Sequence, residues 1–421
     1  MDQSTANRHT SALTVLTLLF FMWGLITSLN DILVPHLKAV FTLSYVQASL
    51  VQFCFFGAYF IMSFPSGRLV EKLGYKSGII VGLATAGIGC LLFYPAAGAQ
   101  SYPFFLAALF ILASGITLLQ VAANPYVNIL GPAATAASRL NLTQAFNALG
   151  TTVGPLVGSV TILAIGAGAA SQIGSSAASE ADSVKTPYLV LAGLLFAIAV
   201  LIALFRLPKI HHGEPTDGVA GRQSIFAHRH LVFGVIAIFC YVGAEVSIGS
   251  YLVSLMGQPD IAGLPAEQAG KYLSFYWGGA MVGRFIGSAL MRAIAPNRLL
   301  AFNAVAIAVL IGIALSVGGH VAMWALILIG LFNSIMFPTI FTLAMEGLGT
   351  LTGKGSGLLC MAIVGGAIVP LVQALLRRSA SGCCPPSPCR WCATCASIWF
   401  RRTRATAPTN PPRLPLGVPD T

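Results

Sequence analysis

Charged residues are scarce in this chain, and their scarcity excludes most soluble folds. Only 8% of the 421 residues are Asp, Glu, Lys or Arg, whereas 56% are hydrophobic. A soluble domain carries about 25% charged residues. A chain of this length with so little charge needs lipid as the solvent for much of its surface. The composition therefore predicts an all-α integral membrane protein.

Acidic residues and enzyme motifs are missing as well. Twelve acidic residues stand against 23 Lys and Arg, which gives a net charge of +11. Up to residue 376 the basic residues form short clusters between apolar stretches, as in the cytoplasmic loops of membrane proteins, so no nucleic-acid partner is expected. The chain has no GxxxxGK[ST] loop, no GxSxG turn and no HExxH motif. An ATP-driven pump or a membrane hydrolase therefore has no support, and no enzyme activity is predicted.

Cysteine gives little indication of a metal site. Cys54, Cys90, Cys240 and Cys360 lie singly in apolar stretches, where cysteine behaves as a small hydrophobic residue. The other five cysteines crowd into residues 383–395 as two overlapping CxxC pairs. Tetrahedral zinc needs pairs that face each other across a loop. Neither a metal nor an organic cofactor is therefore predicted.

Long apolar runs define the membrane-spanning segments. A helix needs about 20 apolar residues to cross the hydrocarbon core. Eleven segments meet this criterion: 12–34, 46–67, 77–97, 103–127, 140–168, 187–207, 231–255, 268–291, 299–317, 320–345 and 355–376. A tight turn at Gly318 and Gly319 is expected between the ninth and tenth spans. The longest polar break, 208–230, predicts a cytoplasmic linker between an N-terminal bundle (1–207) and a C-terminal bundle (231–376).

The basic residues predict the orientation. With the N-terminus inside, thirteen Lys and Arg residues before residue 377 fall on the cytoplasmic side, and only Lys38, Lys185 and Lys271 fall outside. Cytoplasmic loops are the ones enriched in Lys and Arg. The first apolar run lacks a signal-peptide cleavage site, so it is expected to remain as the first span.

Residues 377–421 break this pattern. They carry seven Arg and one acidic residue, although they follow an odd-numbered span and should lie outside. They also contain eight of the 23 prolines and no apolar stretch of spanning length. We interpret this tail as the product of a reading frame that shifts near residues 374–377 and replaces a twelfth helix. It is expected to be disordered.

Two carboxylates lie within spanning segments. Asp31 is in span one and Glu245 is in span seven, and these spans open the two bundles. A carboxylate at bilayer depth is costly, and desolvation favours its protonated form. Both residues are therefore candidates for proton or ion coupling, and Glu245 is also a candidate substrate ligand. The alternatives are an interfacial position for Asp31 and a structural hydrogen bond for Glu245.

Amide side chains form a second group of candidates. Gln120 and Asn124 are four residues apart on one face of span four, and Pro125 beside them can free a backbone carbonyl. Span five carries a row of amides at every third position, which consists of Asn141, Gln144 and Asn147. Amides donate and accept hydrogen bonds, which suits a ligand made of hydroxyls. Hydrogen bonding between helices is the alternative role.

Two loops resemble each other at corresponding places in the two halves. The loop after span two contains Gly67, Arg68, Glu71, Lys72 and Gly74, and the end of span eight contains Gly283 and Arg284. Small residues permit close helix approach, and fixed charges can latch a gate. The two positions together predict an inner gate.

These motifs resemble the fucose:proton symporter family of the major facilitator superfamily, especially its bacterial glucose/galactose transporters. The matching segments are Leu29-Asn30-Asp31-Ile32-Leu33-Val34-Pro35, Ala122-Ala123-Asn124-Pro125, Arg139-Leu140-Asn141-Leu142 with Gln144 to Gly150, Cys240-Tyr241-Val242-Gly243-Ala244, Gly283-Arg284-Phe285 and Pro338-Thr339-Ile340-Phe341. The match covers about residues 12–376 and leaves out the tail.

The resemblance implies a major facilitator fold of two six-helix bundles, here with about eleven transmembrane helices because the twelfth is lost. It also implies alternating access and uptake of a monosaccharide, glucose or galactose, with H⁺ or Na⁺. In this family Asp31 matches an aspartate linked to protonation, and Gln144 and Asn147 match amides around the sugar. A carboxylate expected in span four is Gln120 here, which argues against fucose. Glu245 replaces an amide, and we hypothesise that it takes over part of the missing role.

The resulting expectation is a monomeric multi-pass transporter of a bacterial inner membrane, with a cytoplasmic N-terminus and with membrane lipid around it. The candidate sugar-binding residues are Asn30, Gln120, Asn124, Gln144, Asn147, Tyr241 and Glu245. Two alternatives stay open. One is an exporter of small amphipathic molecules, whose cavity should be more apolar, and the other is an inactive truncated product.

Overall fold

A computed structural model describes the backbone of residues 3–40, 45–99, 101–170, 185–205 and 225–381. Side chains are described for residues 10–28, 50–99, 101–154, 185–205 and 225–376, except Pro187 and Ala266. The side chains of Asn30 and Asp31, most of the predicted linker and nearly all of the tail therefore lie outside the described residues.

The described chain is helical almost throughout, as its composition predicts. The helices are α1 (Gln3–Val40), α2 (Tyr45–Leu73), α3 (Tyr75–Gly98), α4 (Tyr102–Ile129), α5 (Ala136–Ala170), α6 (Lys185–Leu204), α7 (Arg229–Met256), α8 (Ala266–Leu290), α9 (Pro296–Val317), α10 (Gly319–Asn333), α11 (Met336–Met345), α12 (Thr352–Met361) and α13 (Gly365–Ser381). Each of the first nine predicted spans overlaps one helix, and spans ten and eleven each overlap two helices. Within the described residues, eight helical segments are long and apolar enough to cross a membrane.

The turn between α9 and α10 forms at the two glycines that the sequence indicates. Gly318 and Gly319 have φ angles of 69° and 59°. This left-handed region is open to glycine but strained for other residues. Two antiparallel helices can therefore follow each other with almost no intervening loop.

We call helices α1–α6 the N-terminal half and helices α7–α13 the C-terminal half, and the two halves meet mainly through two pairs of helices. In one seam α2 packs against α12, and in the other α5 packs against α8. The basic end is our name for the side of the molecule where these helices carry Arg68, Arg139, Arg292 and Lys354. In both seams the helices are in direct contact at this end. The region between the halves is therefore closed at the basic end.

The outermost helices of the two halves differ in how well they are covered. In α3, half of the apolar window (50%) is buried, partly because Phe93 stacks on Tyr188 of α6 with ring centroids 4.2 Å apart. In α9 only 6% of the window is buried. Phe302 and Val305 of α9 are 62% and 63% exposed. Among the described helices, α9 thus lacks a neighbour equivalent to α6.

Candidate functional site

Pro338 explains why span ten consists of two helices. Proline has no backbone N–H, and its ring clashes with the carbonyl four residues earlier, which here belongs to Ser334. Helix α10 accordingly ends at Asn333 and α11 begins at Met336. The Ser334 carbonyl oxygen instead accepts a hydrogen bond of 3.0 Å from Nε of Arg284 in α8. The break therefore turns a backbone carbonyl towards the interior of the C-terminal half.

Glu245 lies beside this break. The Tyr241 hydroxyl is 2.9 Å from Oε1 of Glu245 and 2.9 Å from the carbonyl oxygen of Asn333. The Arg284 guanidinium lies within electrostatic range of the same carboxyl group. Glu245 lies in the middle of α7 and is half-buried.

Arg284 connects this cluster to the N-terminal half. Its Nη1 donates a hydrogen bond of 3.3 Å to the backbone carbonyl of Gln144 in α5. The next residue, Phe285, meets Phe146 edge-to-face with ring centroids 5.5 Å apart. Arg284 therefore lies within α8, partly buried between the halves, and contacts the backbone of the predicted sugar-binding residue Gln144. Its neighbour Gly283 packs on Leu331 and Ser334 within its own half.

The predicted amides of α4 and α5 meet each other. Nε2 of Gln144 donates to Oδ1 of Asn124 over 3.2 Å, and both side chains are buried. Gln120 is also buried, one turn earlier on the same helix as Asn124. Nδ2 of Asn124 is a buried donor without a hydrogen-bond partner among the described residues.

Asn147 has a different environment. Its Nδ2 donates to the backbone carbonyl of Phe20 in α1 over 2.9 Å, and its side chain is half-buried. This bond ties α5 to α1 within the N-terminal half. Asn147 thus already serves helix packing, which was the alternative role for the amide row. Asn141 likewise bonds helices, because its Nδ2 donates to Oγ1 of Thr339 across the halves over 3.2 Å.

Glu71 holds the first seam closed at the basic end. Its Oε1 accepts the backbone N–H of Lys354 at 3.1 Å, and its Oε2 lies 3.4 Å from Nζ of the same lysine. Gly67 lies one helical turn earlier, and a Cβ atom there would come within 2.8 Å of the Gly353 carbonyl oxygen. Arg68 and Lys72 belong to the same helix as Glu71, Gly74 follows the end of that helix, and Arg68 stacks on Phe64.

The second seam is held by two serines that the sequence did not single out. Oγ of Ser138 donates to the Ser288 carbonyl over 2.7 Å, and Oγ of Ser288 donates to the Ser138 carbonyl over 2.8 Å. Serine is common in apolar helices, so the sequence alone does not show which serines bond a neighbouring helix. A related contact supports the predicted effect of Pro125: the Val121 carbonyl, four residues before it, accepts Oγ of Ser356 at 2.8 Å.

A separate cavity lies further along α7. It has a volume of about 180 Å³ and is bounded by α7, α10 and α13. Ser247, Tyr251 and Gln373 give it polar groups, while Leu252 and Leu326 belong to its mainly apolar lining. The buried hydroxyl of Ser247 has no hydrogen-bond partner among the described residues.

Known proteins share this architecture. The sequence model of the Major Facilitator Superfamily matches residues 16–371 of this chain. The chain is 56% identical over 375 residues to a glucose/galactose transporter of Brucella abortus, across 89% of this chain and 90% of that protein. It is 50% identical over 376 residues to a putative glucose/galactose transporter of Helicobacter pylori, across 88% and 89%.

A further relative is a fucose symporter. The chain is 36% identical over 393 residues to the L-fucose-proton symporter of Escherichia coli, across 90% of both chains. The crystal structure of FucP in the outward conformation superposes with a TM-score of 0.81 and 35% identity, across 96% of this chain and 100% of that one. The chain therefore belongs to the major facilitator superfamily, in the family of these proteins, and is a multi-pass membrane transporter and not an enzyme.

Proposed function

We propose that this transporter imports a monosaccharide, glucose or galactose, together with H⁺ or Na⁺. The observation that carries the proposal is the position of Arg284, which joins the Glu245 cluster to the backbone of Gln144 across the two halves. A carboxyl group that can bind a cation is thus connected, through Arg284 and the Gln144 backbone, to the helix whose amide side chains suit sugar hydroxyls. The names of the relatives, glucose/galactose transporter and L-fucose-proton symporter, agree with this chemistry.

The proposed mechanism is alternating access around this site. The seams at the basic end are closed by Glu71 and Lys354 and by Ser138 and Ser288. With the basic end in the cytoplasm, as the charge distribution favours, this arrangement is an outward-facing state. Binding of cation and sugar would be followed by separation of both seams and closure at the opposite end.

The protein would work as a monomer in a bacterial inner membrane, with its N-terminus inside and lipid as its surroundings. Asn30 and Asp31 of α1 would complete the site, Asp31 as a second coupling group. The bundles would be residues 1–207 and 231–376 with a cytoplasmic linker at 208–230, and the tail at 377–421 would replace the twelfth helix.

Uptake into vesicles tests this function. Labelled glucose, galactose and fucose are offered to proteoliposomes with an imposed H⁺ gradient, an imposed Na⁺ gradient or neither. We expect accumulation of glucose or galactose with one gradient and little accumulation of fucose. A version with an intact twelfth helix serves as the control for folding. If that version accumulates no monosaccharide under any gradient, the proposal is wrong.

A second candidate function is the export of small amphipathic molecules. The mainly apolar cavity of about 180 Å³ beside α7 favours it. An efflux assay with an amphipathic dye separates the two functions. Dye efflux that sugars do not compete with, in the absence of sugar uptake, would support the exporter.

A further inference from the structure

The Tyr241 hydroxyl has one hydrogen and two acceptors. It lies 2.9 Å from Oε1 of Glu245 and 2.9 Å from the carbonyl oxygen of Asn333. A hydroxyl carries one O–H donor and two acceptor lone pairs. It can therefore donate to only one of these oxygens at a time.

The protonation state of Glu245 decides between the two acceptors. An ionised carboxylate only accepts, and its charge strengthens the bond, so the Tyr241 hydrogen turns to Glu245. A protonated Glu245 donates its own O–H to the Tyr241 oxygen, and the Tyr241 hydrogen then turns to the Asn333 carbonyl. The added proton stays on Glu245, and only hydrogen bonds change.

The Asn333 carbonyl lies at the weak point of span ten. Helix α10 ends at this residue, and Pro338 removes the N–H that would bond the neighbouring carbonyl of Ser334. A side-chain donor at this break compensates for missing helix hydrogen bonds. When Tyr241 turns to an ionised Glu245, the break loses one of these donors.

Arg284 extends the effect to the other half. Its Nε holds the Ser334 carbonyl at 3.0 Å, and its Nη1 reaches the Gln144 carbonyl at 3.3 Å. A shift of the backbone at the break moves the anchor of this guanidinium. The bond to α5 then lengthens, and α5 is part of the seam that closes the basic end.

We propose that Tyr241 is a positioning residue that transmits the protonation of Glu245 to the break in span ten and, through Arg284, to the contact between the two halves. The inference deepens the proposed function, on which it rests, because it assigns the step that links cation binding to the gate.

The groups around Glu245 allow a matched control. Among the described residues, α8 presents Arg284 and Tyr276 to it, and α7 itself presents Tyr241. Helix α13 packs on α7 at Gly243, two residues before Glu245, and the residue that it places there is the apolar Val369. The Tyr276 hydroxyl accepts from Nδ2 of Asn333 at 3.0 Å, whereas the donor to the Asn333 carbonyl is Tyr241. Loss of the Tyr276 hydroxyl therefore removes a neighbouring hydrogen bond but leaves the Tyr241 hydroxyl with both of its acceptors.

Hydrogen exchange of the purified protein tests the proposal without any transport. Exchange of residues 334–337 is measured at mildly acidic and mildly alkaline pH and corrected for the intrinsic pH dependence. In the wild type we expect exchange to be about tenfold faster at the alkaline pH, as the loss of one hydrogen bond implies. Tyr241→Phe and Glu245→Gln should abolish this difference, and Tyr276→Phe should keep it. A wild type without the difference, or a Tyr241→Phe variant that keeps it, overturns the proposal.

Sugar counterflow in vesicles is measured in parallel. If neither the wild type nor the version with an intact twelfth helix exchanges a monosaccharide, the proposed function is refuted. The hydrogen-exchange measurement still decides whether Tyr241 responds to Glu245. If counterflow occurs, Tyr241→Phe should lower gradient-driven accumulation more than counterflow, because Tyr241 is also a candidate sugar ligand and the loss of its hydroxyl can lower both. Accumulation driven by a cation gradient should be lost in the same variant.

Discussion

The Glu71 carboxylate caps the first turn of α12 and pairs with the side chain of Lys354 in the same contact, at 3.1 Å from the backbone nitrogen and 3.4 Å from Nζ. A carboxylate at a helix N-terminus is stabilised by the free N–H groups and by the helix dipole. Glu71 belongs to the N-terminal half and α12 to the C-terminal half. The contact therefore exists only while the basic end is closed.

Glu71→Gln should favour an open basic end. The loss is expected to be about 1–2 kcal/mol, or a factor of about 5–30 in the ratio of closed to open protein. Cys360 of α12 is fully buried and is a native reporter of opening. Its alkylation, followed by mass spectrometry, should become faster. Glu267→Gln is the control, because Glu267 pairs with Lys271 on the exposed surface. Equal alkylation in both variants would contradict the role of Glu71.

Gly67→Ala should impair the same gate for a steric reason. The added Cβ would lie 2.8 Å from the Gly353 carbonyl oxygen, and relief of such crowding costs about 1–3 kcal/mol. We expect slower uptake and faster alkylation of Cys360. Gly57→Ala lies in the same helix and meets nothing within 4 Å, so it should leave both quantities unchanged. A Gly67→Ala variant that behaves like Gly57→Ala would show that close approach is not needed.

Ser356→Ala should destabilise the contact between α12 and α4. It leaves the Val121 carbonyl, already deprived of a helix partner by Pro125, without its donor at 2.8 Å. An unsatisfied buried carbonyl costs about 1–3 kcal/mol. The free energy of unfolding in detergent measures this loss. Ser316→Ala, an exposed serine that bonds only within α9, should change it little.

Glu245→Gln should separate sugar exchange from cation coupling. The amide keeps hydrogen-bonding groups for a sugar but cannot titrate. We expect counterflow to persist and gradient-driven accumulation to fall to the level without a gradient. Glu346→Gln removes an exposed carboxylate and serves as the control. Unchanged accumulation in Glu245→Gln would assign the coupling to another group, with Asp31 as the first candidate.

A restored twelfth helix should stabilise the protein. The large apolar side chains of α9, such as Phe302 and Val305, are more than 60% exposed, whereas α3 is covered by α6. Correction of the reading frame near residues 374–377 is expected to raise the midpoint of thermal unfolding. Deletion of residues 382–421 alone should not raise it. Equal midpoints for the corrected and the present chain would refute the frameshift interpretation.

The membrane class, the helices and the candidate residue types could be predicted from the sequence, because each depends on local properties. Charge content, apolar runs and the pair Gly318-Gly319 determine helices and turns within a few residues of themselves. Pro125 likewise indicated a freed carbonyl, although not its partner. The resemblance to symporters could also be read from short motifs.

The partnerships were decided only by the tertiary structure. Residues as distant in sequence as Glu71 and Lys354, or Arg284 and Gln144, meet because helices from both halves pack together. For the same reason Asn147 bonds the α1 backbone, while Gln144 meets Asn124. A side chain shows its chemistry in the sequence, but its partner depends on helix rotation and crossing, which no local pattern encodes.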